Sequence, residues 1–213
     1  MMALTQASLS PPPFPEDAAR GDGQPVIVIP GFLAPDMSTA RLREFLTRQN
    51  FMPCSWTVGV NLGPMRHVMR AVERQVRDLA DRTGRKVSLV GVSLGGTTAR
   101  QAAKLCPGHI ARVITLVSPI HPPITTPLAP LAQAAALLWD EEELKNLAAI
   151  SEPPPVPLTA VVSRNDGIID WRTSVPQASD LVEVVEISGS HMAICSNPEV
   201  QRIVADRLAK TPK

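Results

Sequence analysis

The sequence predicts an α/β fold, a mostly parallel sheet of about six strands with helices on both faces. Three observations carry that prediction. Short, wholly apolar runs rich in β-branched residues recur along the chain, Val26-Ile27-Val28-Ile29 being the clearest. Stretches with apolar residues at helical spacing separate them. One run passes straight into a helix through a glycine-rich turn, Gly91-Val92-Ser93-Leu94-Gly95-Gly96. Strands buried on both faces have no polar side to display, and parallel neighbours need long crossovers, which are usually helices.

Taken in order, the chain opens with Thr5 to Gly23, which hold Pro11, Pro12, Pro13, Pro15, Gly21 and Gly23 and little apolar periodicity. Residues 1–24 therefore read as a flexible or extended arm, with one domain over 25–213. Val26 to Ile29 is the first strand, ending at Pro30-Gly31. Asp36 or Ser38 can cap a helix reaching about Asn50, with Leu42, Phe45 and Leu46 on one side. Ser55 to Val60 reads as a second, weaker strand. From about Met65 to Asp81, Val68, Met69, Val72, Val76 and Leu79 recur at helical spacing with arginines between them, and Gly84 closes that helix. Val87 to Val90 is the third strand. Leu94 to Leu105 is a helix stopped by Pro107-Gly108. Val113 to Val117, Leu158 to Val162 and Leu181 to Ile187 are the remaining strands. A last helix begins near Pro198, a good first helical residue, and ends near Leu208.

Composition narrows the function classes. A chain of 213 residues favours a single domain. At that size folding removes about 70–75% of the unfolded surface from water, enough for one core without staples. With 44% hydrophobic and 19% charged residues the profile is globular. A net charge of +1 gives no electrostatic reason to expect nucleic acid as a partner. Cys54, Cys106 and Cys195 are odd in number and far apart, so free thiols fit better than a disulfide framework or a zinc site. No basic leader with an apolar run precedes the domain, and no run of about 18 apolar residues occurs, so a cytoplasmic protein without an integral membrane segment is the default.

The most informative segment is Ser88-Leu89-Val90-Gly91-Val92-Ser93-Leu94-Gly95-Gly96. It sets Gly-x-Ser-x-Gly between a strand and a helix. A serine projecting beyond a sheet needs a sharp, strained turn, and side chains two residues before and after it would collide across that turn. The following helix brings free N–H groups and its positive end beside the serine. A packing or phosphate-binding turn is the bland alternative. However, the segment lacks the lysine of a P-loop, and its glycine spacing does not match the dinucleotide fingerprint.

On these residues the sequence resembles the α/β-hydrolase family, and within it the small lipase and esterase branch, from Pro25 to Leu208. The resemblance implies a chain order of serine, acid, histidine. Ser93 is then the nucleophile. His191, in Ser188-Gly189-Ser190-His191-Met192 after the last strand, is the general base. His67 and His109 read as surface residues, and His121 precedes any acid in that order. The acid should follow the fifth strand, where Asp166 stands before Gly167 in a turn of the kind that carries the acid in the resembling lipases. Asp170, beside Trp171, is the fallback, and the order rule does not separate the two. The acid's task is to hold the histidine tautomer and stabilise the imidazolium. The oxyanion hole takes the backbone N–H of Leu94 and a second from the Ile29-Pro30-Gly31-Phe32-Leu33 loop, with Phe32 as the expected donor. Many relatives have His-Gly where this chain has Pro30-Gly31; the role belongs to the backbone and survives the change.

Between the fourth and fifth strands, the apolar run Leu131 to Trp139 precedes Asp140, Glu141, Glu142 and Glu143. Residues 121–150 could form a small lid, or simply the crossover helix that parallel strands require. The resemblance implies hydrolysis of small or medium acyl esters or lipid-like esters through an acyl-enzyme. An acyltransferase or thioesterase with the same triad, or a non-catalytic binding protein on this scaffold, are the competing readings. Dehalogenation is disfavoured, because it needs a carboxylate where Ser93 stands. The reaction calls for no metal and no organic cofactor.

Overall fold

The computed structural model describes residues 11–121, 126–137 and 149–210. Six strands form one wholly parallel sheet: β1 (Pro25–Ile29), β2 (Met52–Cys54), β3 (Val87–Val92), β4 (Ile110–Leu116), β5 (Leu158–Ser163) and β6 (Val182–Ile187), in the order β2-β1-β3-β4-β5-β6. Helices α1 (Ala40–Arg48), α2 (Arg66–Thr83), α3 (Leu94–Leu105), α4 (Ala129–Ala136) and α5 (Pro198–Ala209) fill out the described residues. Among these, no helix is long and apolar enough to cross a membrane.

Two hydrophobic layers sandwich the sheet, and strand alternation divides the residues between them. Val26 and Val28 of β1 and Val90 and Val92 of β3 face α1 and α5, against Leu42, Phe45, Leu46, Val200 and Val204. Ile27, Ile29, Val87 and Leu89 point the other way onto α2 and α3, against Val72, Val76, Ala99, Ala102 and Ala103. Every side chain of β1, β3 and β5 is buried, Ser88, Thr159 and Ser163 included, as expected of strands covered on both faces. α2 ends where Gly84 takes a left-handed φ of 64°.

One predicted strand is displaced. The second strand is not Ser55–Val60 but the short segment Met52–Cys54, paired with Pro25–Ile27 at the sheet edge, where Pro53 is tolerated. The apolar alternation after it belongs to a loop. Trp56 is buried there, its backbone N–H donating to Asp36 Oδ1 at 2.6 Å and its indole N–H to the Gly59 carbonyl at 2.7 Å.

Residues 11–24 run without regular secondary structure. Phe14 packs on Phe45 with ring centroids 5.8 Å apart and carries the Arg41 guanidinium over its face, while Ala18 joins the α1–α5 layer. Of the segment considered as a lid, residues 122–125 and 138–148, with the acidic run Asp140 to Glu143, lie outside the described residues.

Candidate active site

β3 ends at Val92, and Ser93 makes the turn into α3 with φ 51° and ψ −126°, a conformation side-chain-bearing residues rarely adopt. Its N–H donates to the Leu116 carbonyl at 2.8 Å, and its own carbonyl accepts from Gly96 at 2.9 Å. The glycines make that geometry sterically feasible. A Cβ on Gly91 would come within 2.3 Å of the Gly95 carbonyl oxygen, and one on Gly95 within 2.4 Å of the carbonyl oxygens of Ile29 and Pro30. The turn closes only if both side chains are missing.

The Pro30–Leu33 loop lies directly against this turn, with Gly31 so placed that a Cβ on it would be 3.3 Å from Ser93 Cβ. Leu94 is the first residue of α3, where an N–H has no partner within the helix and the helix dipole adds positive potential. Phe32 is half-buried, and its N–H has no partner among the described residues.

Along the same end of the sheet, after β5 and β6, His191 Nδ1 lies 2.7 Å from Asp166 Oδ2. A carboxylate only accepts, so Nδ1 carries the proton and Nε2 is left as the basic nitrogen. The pair is fixed from several sides. Asp166 Oδ1 accepts from the N–H groups of Ile168 and Ile169 at 2.9 and 2.5 Å, and the His191 N–H donates to the Asp166 carbonyl at 2.9 Å. Asp166 is 4% exposed and His191 9%, so the pair is nearly shut off from water. Asp170 does something else: it is exposed, caps the turn Trp171–Ser174 by accepting from the Arg172 N–H, and pairs with the Arg172 guanidinium.

Ser93, Asp166 and His191 follow β3, β5 and β6. All strands run one way, so the three residues share the carboxyl edge of the sheet, where parallel α/β sheets bind ligands. The other histidines stand apart. His67 is exposed on α2, His109 half-buried beyond α3, and His121 Nε2 donates to the Val175 carbonyl at 2.8 Å. The three cysteines are free, and burial pushes the Cys195 thiol up to about 12, far from a thiolate nucleophile. Among the described residues, no group of three or more His, Cys, Asp or Glu could hold a metal ion.

Residues 54–206 match the profile of an uncharacterised protein family, UPF0227. The chain belongs to that family. No curated protein matches the UPF0227 chain in sequence. Among solved structures, lipase B of Aspergillus fumigatus superposes with a TM-score of 0.70 at 18% identity, covering 93% of this chain but only 56% of the lipase. The mature lipase BlEst2 of Bacillus licheniformis gives 0.65 at 14% identity, over 92% of this chain and 96% of that one. Esterase Pf2001 of Pyrococcus furiosus gives 0.64 at 14% identity, over 91% and 85%. The fold is that of the α/β-hydrolases.

Several supporting residues in the UPF0227 chain escaped sequence reasoning. Asn61 is fully buried: its Nδ2 donates to the Pro30 carbonyl at 2.7 Å, its Oδ1 accepts from Gly63, and its backbone carbonyl accepts from Leu33 at 2.8 Å. It clamps the loop carrying Phe32. Ser163 Oγ donates to the Gly189 carbonyl at 2.6 Å and Asn197 Nδ2 to that of Ser188 at 3.0 Å, fixing the histidine loop from both sides. Arg100, on α3, is almost wholly buried; its Nη2 donates to the carbonyls of Ile150, Ser151 and Glu152 at 3.0, 3.0 and 2.9 Å, and burial pulls its pKa down to about 10. An asparagine in a polar loop or an arginine in a helix reads as solvated surface, so nothing in the pattern marked them.

Proposed function

We propose that the chain is a serine hydrolase that cleaves carboxylic esters through an acyl-enzyme. The observation that carries this reading is the buried Asp166–His191 pair on the same sheet edge as a serine held at positive φ against a helix N-terminus. The turn at Ser93 acts as a nucleophile elbow. Strands lie about 4.8 Å apart, so β3 and β5 are separated by about 10 Å, a gap that an imidazole backed by a carboxylate suits.

In this mechanism His191 Nε2 takes the Ser93 proton as Oγ attacks the ester carbonyl. The carbonyl oxygen becomes an oxyanion, met by the N–H groups of Leu94 and Phe32. On collapse the ester C–O bond breaks, the alcohol leaves with the proton from His191, and the acyl group stays on Ser93. Water then gives a proton to His191, attacks the acyl carbon and releases the acid, restoring Ser93. Asp166 holds the imidazole with Nε2 facing the serine and stabilises its cationic form. Lipases and esterases among the structures of the same fold agree with an ester as substrate.

The test is burst release of p-nitrophenol from esters of increasing acyl length, comparing the wild type with Ser93→Ala. A burst at some length, stoichiometric with enzyme and lost in the variant with a fall of about 10⁴-fold or more in turnover, is expected. Equal turnover by both proteins at every length would refute the proposal. The same acyl-enzyme could pass its acyl group to an alcohol or thiol; adding such acceptors during the burst tells hydrolysis from transfer.

A further inference from the structure

The amino edge of the sheet holds a cleft of about 360 Å³, bounded by the segments leading into β1 and β3, by the first residues of β4 and by the end of α5. That is within the range of small-ligand sites. Ser88, at the start of β3, lines it, about 16 Å along the strand from Ser93, so the cleft is separate from the proposed catalytic edge. Its lining carries Arg85, Lys86, Arg112 and Lys210 against Asp22 alone; Arg85 pairs with Asp22, and Lys210 with Asp206 beside the cleft at 3.6 Å, which leaves Lys86 and Arg112 as the uncompensated cations among the described residues.

The decisive residue is Arg112. It is only 7% exposed, yet no carboxylate among the described residues stands within ion-pair distance of it. Of its five donors, one is accounted for: Nη2 donates to the Lys210 carbonyl. Burial without a counter-charge lowers its pKa. The bland explanation is that Arg112 merely caps the carbonyl end of α5, and it does so. That role uses one N–H and leaves a largely buried cation lining the cleft. Lys86, exposed on the rim, likewise has no ion pair among the described residues. The groups that would repel an anion are already engaged. Asp22 is held by Arg85 at 2.7 Å, and the Leu208 carbonyl accepts from Gln24 Nε2 at 3.2 Å.

We propose that this cleft binds the phosphate group of a small phosphorylated molecule, with Arg112 at its floor and Lys86 and Lys210 at its rim. Several converging cations favour a phosphate over a singly charged carboxylate, and the guanidinium fork matches two phosphate oxygens at once. The cleft volume leaves room for an organic part beyond the phosphate.

The proposal does not depend on ester hydrolysis and is tested without it. Inorganic phosphate is titrated into the full chain at constant ionic strength, followed by calorimetry and melting temperature, with acetate as control. Saturable phosphate binding is expected, weakened about tenfold or more in both Lys86→Gln and Arg112→Lys, unchanged in Ser93→Ala, and displaced by a phosphomonoester. Lys86 is exposed, so its variant folds whether or not Arg112→Lys does. Absence of saturable binding, acetate binding as well as phosphate, or full affinity in Lys86→Gln overturns the proposal.

Discussion

The two edges of the sheet handle backbone strain in opposite ways. At the amino edge, the positive φ values in the turns leading into β1, β2 and β3 belong to Gly23, Asn50 and Gly84, which adopt them at little cost. At the carboxyl edge, Ser93 and Val117 are held at φ 51° and 46° directly after β3 and β4, and Leu33 at φ 56° in the loop that follows β1. Each such residue costs on the order of 1–3 kcal/mol, so the surrounding contacts must over-determine it. They do: Leu33 is bonded to Asn61, Ser93 to Leu116 and Gly96, Val117 to the Val161 carbonyl. Strain at one edge and relaxed turns at the other single out the carboxyl edge as the place where geometry is held against its own preference.

Substitutions at each edge test this division of strain. The largest effect is expected from Asp166→Asn, which presents an amide to Nδ1 and selects the wrong imidazole tautomer; ester turnover should fall about 10⁴-fold with little change in melting temperature. Retained turnover in steady-state assays would mean that the Asp166–His191 pair is structural only. Asn61→Ala comes next. Releasing the Phe32 loop should lower kcat by about 10²-fold while KM moves little, because the donor is felt in the transition state; an effect on KM alone would place the loop in substrate binding. Ser93→Gly removes the side chain that resists the turn, so chemical denaturation should show a gain of about 1 kcal/mol in an inactive protein. A loss of stability there would contradict the idea that Ser93 is strained. The smallest effect belongs to Glu183 of β6, which Arg207 holds below its ordinary pKa. A lowered carboxyl pKa stabilises the fold above the ordinary glutamate range, and the contribution is lost as the pH falls through the folded value. Glu183→Gln should therefore cost less than about 1 kcal/mol at neutral pH and nothing in strong acid, read from melts across the pH range.

What could be read from the sequence follows from how local each cause is. The bounds of α3, Leu94 and Leu105, were legible because a glycine turn opens it and Pro107-Gly108 follows it. β1, β3 and β5 were legible because strands buried on both sides are mostly apolar, with only Ser88 in β3 and Thr159 and Ser163 in β5 as exceptions. β2 was not, since three half-buried residues containing a proline carry less signal than the alternation Trp56, Val58, Val60 in the loop beyond. Ser93, Asp166 and His191 emerged as candidates from one turn motif and a chain order, but nothing in that order distinguishes Asp166 from Asp170. The distinction is spatial: one aspartate meets His191 and the other caps a turn. Asn61 was invisible for the same reason, because its partners at Pro30 and Leu33 are remote in the chain.

The borders of the sheet also constrain how this molecule can meet its own copies. One border is three residues long with Pro53 in the middle, and the other carries Glu183 and Glu186, anchored by Arg207 and Arg164. Neither offers a long, flat, uncharged ribbon for a second chain to extend, so fibre-like stacking through these borders is disfavoured, and any self-association would have to form through helices and loops instead.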